Sequence, residues 1–327
     1  MAYTEIDDPS LYFSSTIWTG NATDDRAIVI DGTGMQPDFV WIKSRNDADN
    51  HRLVDSVRGA TKHLEADTVS SEQTSSNVKT FTSTGFTLST NGAVNANSEL
   101  YVSWSWKESA TAGFDIVSFT GNATARTISH SLSAVPKMII MKNLETVNAQ
   151  WVVYHVSTGN TQALYLNTNA APTDVLGFFN DTDPTSSVFT VGTDTAVNGN
   201  TVGQINYAWS EKQGFSKFGR FSGNHNSDGA FVYLGFRPAW LMIKRYDTTE
   251  GWYIYDSKRD TYNGGNLLRL YAHAEDAESA AFELDLLSNG FKMRNTDGGH
   301  NRVGDYIVAA FAEAPFVNSN GVPCNAR

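Results

Sequence analysis

The chain has 327 residues, of which 40% are apolar and 12% aromatic, and its formal net charge is −11. That apolar content excludes a disordered chain, and the acidic balance argues against a nucleic-acid partner, because phosphate contacts need a basic face. Charged residues make up only 18% while Ser, Thr, Asn and Gly abound, a mix that suits strands and tight turns rather than long surface helices. The charge divides into −7 over residues 1–112, −3 over 113–213 and −1 over 214–327. This reads as an ordinary soluble surface, with an acidic docking face on the first segment as the sharper alternative. The single cysteine, Cys324, excludes an intrachain disulfide and a thiolate metal site. No run approaches the ~20 apolar residues of a membrane span. The opening Met1-Ala2-Tyr3-Thr4-Glu5-Ile6-Asp7-Asp8 has no signal-peptide pattern, so we expect cytoplasmic synthesis and delivery by some route other than ordinary secretion.

Read in chain order, five landmarks recur. The first is Trp18-Thr19-Gly20-Asn21, then Phe119-Thr120-Gly121-Asn122 and Phe221-Ser222-Gly223-Asn224. A proline followed by an apolar run ending in lysine comes next: Pro37 to Lys43, Pro136 to Lys142 and Pro238 to Lys244. Leu53-Val54-Asp55-Ser56 is matched by Val153-Tyr154-His155-Val156 and Ile254-Tyr255-Asp256-Ser257. Phe86, Phe189 and Phe291 follow, and each copy closes on an aromatic strand ending at Glu108, Glu211 or Glu313. Such a period is the signature of an internal repeat. It predicts an all-β chain of three tandem antiparallel β-sandwich domains, jelly-roll or lectin-like, each of about 100 residues. Their bounds are 1–112, 113–213 and 214–327.

In the third copy the pattern predicts strands at Phe218–Phe221, Phe231–Tyr233, Trp240–Arg245, Trp252–Asp256, Leu267–Tyr271, Ala281–Leu286, Phe291–Arg294 and Tyr306–Ala312. Asn289-Gly290 predicts a tight hairpin turn, and Asn91-Gly92 and Asn198-Gly199 hold comparable late positions. Composition allows a short helical turn over Ala272–Ala281. The strand after the proline is apolar on both faces in every copy, for example Phe39-Val40-Trp41-Ile42, so it is central and covered on its second side. The expected cover is the same domain's long loop, with a neighbouring copy or a partner as alternatives. The short joins predict a semi-rigid string or a compact trefoil. A modest interface predicts weak coupling, so that Phe291→Ala should melt residues 214–327 alone.

The chain contains no phosphate-binding loop, dinucleotide fingerprint, zinc-protease motif or nucleophile elbow. His51 aligns with Trp151 and Trp252, and His155 with Asp55 and Asp256, which reads as local variation. Glu108, Glu211 and Glu313 could serve acid–base chemistry, but one per copy suits a structural role, ending the strand or bonding backbone donors in the next linker. Asp55 and Asp256, each followed by Ser, read as strand-end turns. Asp24-Asp25 and Asp181-Thr182-Asp183 offer too few oxygens for calcium. Asn21-Ala22-Thr23, Asn122-Ala123-Thr124 and Asn180-Asp181-Thr182 fit the glycosylation pattern but read as turns. The tryptophans read as core, with a sugar-stacking platform as the alternative. No catalytic, cofactor-binding or metal-ligating residue is therefore assigned.

Taken together, the Thr-Gly-Asn opening, Gln36-Pro37-Asp38-Phe39-Val40-Trp41-Ile42-Lys43, Asp55-Ser56-Val57-Arg58-Gly59, Tyr101-Val102-Ser103-Trp104-Ser105-Trp106-Lys107 and Phe311-Ala312-Glu313-Ala314-Pro315-Phe316 resemble a repeat domain of tailed, especially marine, bacteriophages. The resemblance covers Leu11 to Phe316. It implies a virion structural component of tail or fibre type and carries over no catalytic or ligand residues. The second copy departs from the pattern, with His155-Val156 for Asp-Ser and Thr158-Gly159 for Arg58-Gly59, so it would not make the same contact if that loop meets a partner. The resulting expectation is a non-enzymatic phage structural protein without cofactor, either a tail-associated fibre or adhesin component or a capsid-surface decoration protein. Its partners would be other virion proteins, further copies of itself in the particle and a host-surface glycan, with no nucleic acid and no membrane insertion. The alternative is a carbohydrate-binding, lectin-like β-sandwich module.

Overall fold

Gly20, Gly121 and Gly223 fall at equivalent places in the computed structural model, which describes residues 3–32, 34–260, 263, 267–281 and 283–324. At each of them the chain passes so close to a neighbouring carbonyl, that of Ala96, Gly199 or Arg302, that any Cβ would collide with it. The residue two further on, Ala22, Ala123 or His225, takes a left-handed conformation with φ of 52°, 54° and 52°. A buried asparagine staples each of these turns. Asn95 Oδ1 accepts from Asn21 N at 3.1 Å, Asn198 Oδ1 from Asn122 N at 3.0 Å, and Asn301 Oδ1 from Asn224 N at 3.1 Å. The amide of each then donates to two backbone carbonyls, which satisfies both ends of a buried polar group.

The chain is all-β and antiparallel. In the first copy the larger sheet runs Phe13–Thr19, Leu100–Trp106, Phe39–Ser44, Arg52–Asp55. The second copy orders Phe114–Thr120, Gly203–Trp209, Met138–Asn143, Val152–His155, Gln162–Tyr165, Thr173–Asp174. The third orders Ser216–Gly223, Gly304–Pro315, Phe236–Arg245, Trp252–Asp256, Leu267–Tyr271, Ser279–Ala281. Each copy adds a smaller sheet, such as Arg126–Ser129 with Val188–Val191, and among the described residues no sheet draws strands from two copies. Seven of the strands read from the third copy are found close to their expected places. The Ala281–Leu286 run is instead two strands, Ser279–Ala281 and Leu284–Leu287, with residue 282 outside the described set. Ala272–Ala281 forms no helix: a turn at 272–273 leads through irregular chain into Ser279–Ala281. Ser288 and Asn289 make the expected hairpin turn, with Leu287 opposite Gly290. Asn91 caps a short helix instead, its side chain accepting from Ala93 N at 2.9 Å, and Gly199 lies just past the helix Thr195–Asn198. The first pair therefore opens a helical turn and the second closes one, and neither makes a hairpin.

The two apolar faces of the central strand have different covers. Val40 and Ile42, like Ile139 and Met141, face their own copy's smaller sheet, where Phe86 and Phe189 are buried. Phe39 and Trp41, like Met138 and Ile140, face a core common to all three copies. The second side is thus covered by the neighbouring copies, not by a loop of the same domain. Trp106 lies 4.9–6.1 Å, centroid to centroid, from Phe13, Phe39, Trp209, Trp240 and Phe311, rings drawn from all three copies. Phe291 belongs to the same continuous cluster. The interface between copies is therefore a hydrophobic core, and the expected weak coupling gives way to shared burial.

Candidate functional site at the seams between copies

Three seams surround the common core, and their polar side chains form two closed rings of hydrogen bonds. In the first ring Trp151 Nε1 donates to Glu65 O at 2.8 Å and Trp252 Nε1 to Tyr165 O at 2.8 Å. His51 takes the same role. Its Nδ1 accepts from Trp41 Nε1 at 2.7 Å, so its Nε2 carries the proton and donates to Tyr271 O at 2.8 Å. Burial, helped by the charge of Lys43, pushes the His51 pKa down to about 3 and keeps the ring neutral. The backbone nitrogens of these three residues are also fixed alike, by Asp67 at 3.2 Å, Asn167 at 3.0 Å and His273 at 3.1 Å. His51 is therefore no local variation. It supplies an N–H where the other copies use an indole.

The second ring runs the same way round at two seams and reverses at the third. Tyr207 Oη donates to Asp55 Oδ2 at 2.7 Å, and Trp104 Nε1 donates to Asp256 Oδ2 at 3.0 Å. The residue matching Trp104 and Tyr207 in the third copy is Ala309, which has no polar tip. Opposite it stands His155, whose Nδ1 accepts from Ser157 N at 3.1 Å and whose Nε2 reaches Val308 O at 3.4 Å. Burial pushes its pKa down to about 4. The larger, neutral imidazole thus replaces a carboxylate where the facing copy offers a carbonyl in place of a side-chain donor.

Two seams carry a further latch. Arg58 Nε meets Asp55 Oδ2 at 2.5 Å, Nη2 meets Leu53 O at 3.0 Å, and Nη1 meets Glu72 Oε2 at 3.3 Å. Arg259 repeats this with Asp256 at 2.6 Å, Ile254 O at 3.1 Å and Glu278 at 3.4 Å. Glu72 N donates to Leu144 O and Glu278 N to Arg45 O, so each latch also crosses to the adjoining copy. Two of the closing glutamates bond a backbone donor in the strand that opens the next copy, just beyond the linker. Glu108 Oε1 accepts from Ile116 N at 3.2 Å and Glu211 Oε2 from Phe218 N at 3.2 Å. Glu313 instead pairs with Arg237 at 2.9 Å. Burial and a hydrogen bond to Asp115 push Glu108 up to about 7. Asp24 and Asp25 both clasp Lys79, at 2.9 and 2.6 Å. Among the described residues no group of three or more His, Cys, Asp or Glu could hold a metal ion, and no helix is long and apolar enough to cross a membrane.

Sequence reasoning marked the lysines that end the apolar runs but missed their burial. Lys43, Lys142 and Lys244 are fully buried, and they donate to Asp47 O, Ala149 O and Glu250 O at 3.1, 2.6 and 2.6 Å. Lys142 and Lys244 lie over the rings of Trp151 and Trp252, at 5.8 and 5.6 Å. Burial pushes all three pKa values down to about 8. A lysine depressed on folding adds stability above its unfolded pKa and loses it as pH falls through the folded value. Between about 8 and 10 the unfolded chain therefore holds protons that the folded chain sheds, and stability rises. Glu283, pushed up to about 9 by burial, opposes this until it has ionised, and Tyr101, Tyr154 and Tyr306, pushed up to about 12 by burial, oppose it as pH nears 10. Tm should accordingly rise by roughly 5 °C between pH 8 and 10. Lys142→Met should flatten that rise by about a third, as scanning fluorimetry across the range would show. A Tm that falls throughout the window would contradict buried, depressed lysines. The period could have pointed to that burial, since an apolar run that ends on the same charged residue three times needs an explanation.

No match was found among the curated proteins. The chain matches the family described as Domain of unknown function (DUF7483) over residues 8–315. One match spans all three copies, in keeping with seams that close only when all three are present, and the chain belongs to the DUF7483 family.

Proposed function

We propose that this chain is a non-enzymatic virion structural protein of a tailed bacteriophage. It would be a tail-associated fibre or adhesin component or a capsid-surface decoration protein, with each sheet pair a lectin-like or jelly-roll sandwich. The observation that carries the reading is how the matched polar side chains are used. Asp55, Asp256, Glu108 and Glu211 hold backbone and side-chain donors at the seams, so they build a rigid body that presents its outer sheets and loops to other virion proteins. The phage-like motifs in each copy support the setting. Electron microscopy of purified particles labelled with an antibody against the chain should decorate the virion surface. Particles from infected cells that make the chain yet carry no label would overturn the proposal.

A second reading, a carbohydrate-binding module, is favoured by Phe231 and Tyr233, which are 46% and 54% exposed on an edge strand. Their counterparts are Ala27 and Val29 in the first copy and Thr127 and Ser129 in the second, so core packing does not explain these rings.

A further inference from the structure

The three seams are not alike. Two are filled by the Arg58 and Arg259 latches, whose side chains are 4% and 0% exposed. At the seam between the second and third copies all three members of the latch are changed together: His155 stands for the aspartate, Thr158 for the arginine and Pro172 for the glutamate. Pro172 has no N–H, so it cannot make the bond to Tyr246 O that Glu72 and Glu278 make to Leu144 O and Arg45 O. The space left is an open cavity of about 380 Å³, lined by Ser157, Thr158, Gln162, Pro172, Tyr246 and Asp247.

We propose that this open seam is a saccharide-binding site. A pyranose ring offers a rim of hydroxyls and apolar C–H faces, so its site needs both polar and apolar walls. The polar wall has the hydroxyls of Ser157 and Thr158, the Gln162 carboxamide and the Asp247 carboxylate. Thr158 Oγ1 already donates to His155 O at 2.9 Å, which leaves its lone pairs to accept. Asp247 is held in place by Arg245 at 2.6 Å and keeps acceptor capacity on both oxygens. The apolar wall is Pro172 and the ring of Tyr246. The volume falls in the ~300–1,000 Å³ range of small-ligand sites. A guanidinium or other cation fits poorly, because two carboxylates that hold one in the sister seams have become His155 and Pro172.

This site rests on the carbohydrate-binding reading and is independent of where the chain lies in a particle. Saturation-transfer NMR of the full chain with the methyl glycosides of glucose, galactose, mannose and N-acetylglucosamine, at millimolar concentration, should detect binding of at least one. Thr158→Arg, which restores the plug of the sister seams, should weaken it about tenfold or more. Ala171→Trp at the rim serves as a second plug should the buried arginine impair folding. Tyr233→Ala, on the distant edge strand, should leave binding intact. Binding that survives both plugs and is lost in Tyr233→Ala would overturn the seam site while sustaining the carbohydrate reading. No binding of any of the four glycosides would overturn both.

Discussion

Trp106→Ala is expected to destabilise the whole chain by ~3–5 kcal/mol in a single transition, the usual cost of truncating a buried tryptophan. The ring meets Phe13 and Phe39 of its own copy, Trp209 of the second, and Trp240 and Phe311 of the third. Its removal opens a cavity that no one copy can close by itself. Urea unfolding followed by tryptophan fluorescence and by circular dichroism should give coincident curves, displaced together. Phe291→Ala should displace the same single transition, because that ring belongs to the common cluster. Curves that part, with one copy lost first, would show that the shared core does not couple the copies.

Asp256→Ala should cost ~3–5 kcal/mol, the usual penalty for breaking a buried ion pair by removing one partner. The side chains of Asp256 and Arg259 are both 0% exposed and lie 2.6 Å apart. The same carboxylate accepts from Trp104 Nε1 across the seam and from Arg259 N at 2.9 Å. Truncation therefore orphans an indole N–H and the backbone N–H groups of Lys258 and Arg259, and leaves the guanidinium only Glu278, at 3.4 Å, as a counter-charge. The double variant Asp256→Ala, Arg259→Met should recover about half or more of the loss, because the uncompensated charge is then gone. Chemical denaturation of the two variants measures both effects. A cost below ~1 kcal/mol for Asp256→Ala would place the pair in the class of exposed ion pairs and contradict its role as a seam latch.

The repeat and the strands were legible because period and alternation are local signals. Gly20, Gly121 and Gly223 could be matched by counting, and the strand Trp252–Asp256 was read to the residue. What covered the inner face was not legible. Phe39-Val40-Trp41-Ile42 shows that both faces are buried, but burial is non-directional, and the residues cannot say whether a loop or another copy lies opposite. The seam donors were hidden for a different reason. His51, Trp151 and Trp252 differ in type yet each sets an N–H at the same point in space, and only geometry reveals that equivalence. The exchange of Asp for His155 made sense only once Ala309 was seen to lack the polar tip of Trp104 and Tyr207. Asn95, Asn198 and Asn301 could have been found, since they recur at the repeat period, but nothing marks them as buried.

The central claim is that three copies fold as one body around a common core. Differential scanning calorimetry of the intact chain tests it most directly, because the ratio of van't Hoff to calorimetric enthalpy counts the cooperative units. One body predicts a single peak with a ratio near one. Resolved peaks, or a ratio near one third, would mean that the copies melt as separate domains and that the aromatic cluster joining them does not bind them into one cooperative unit.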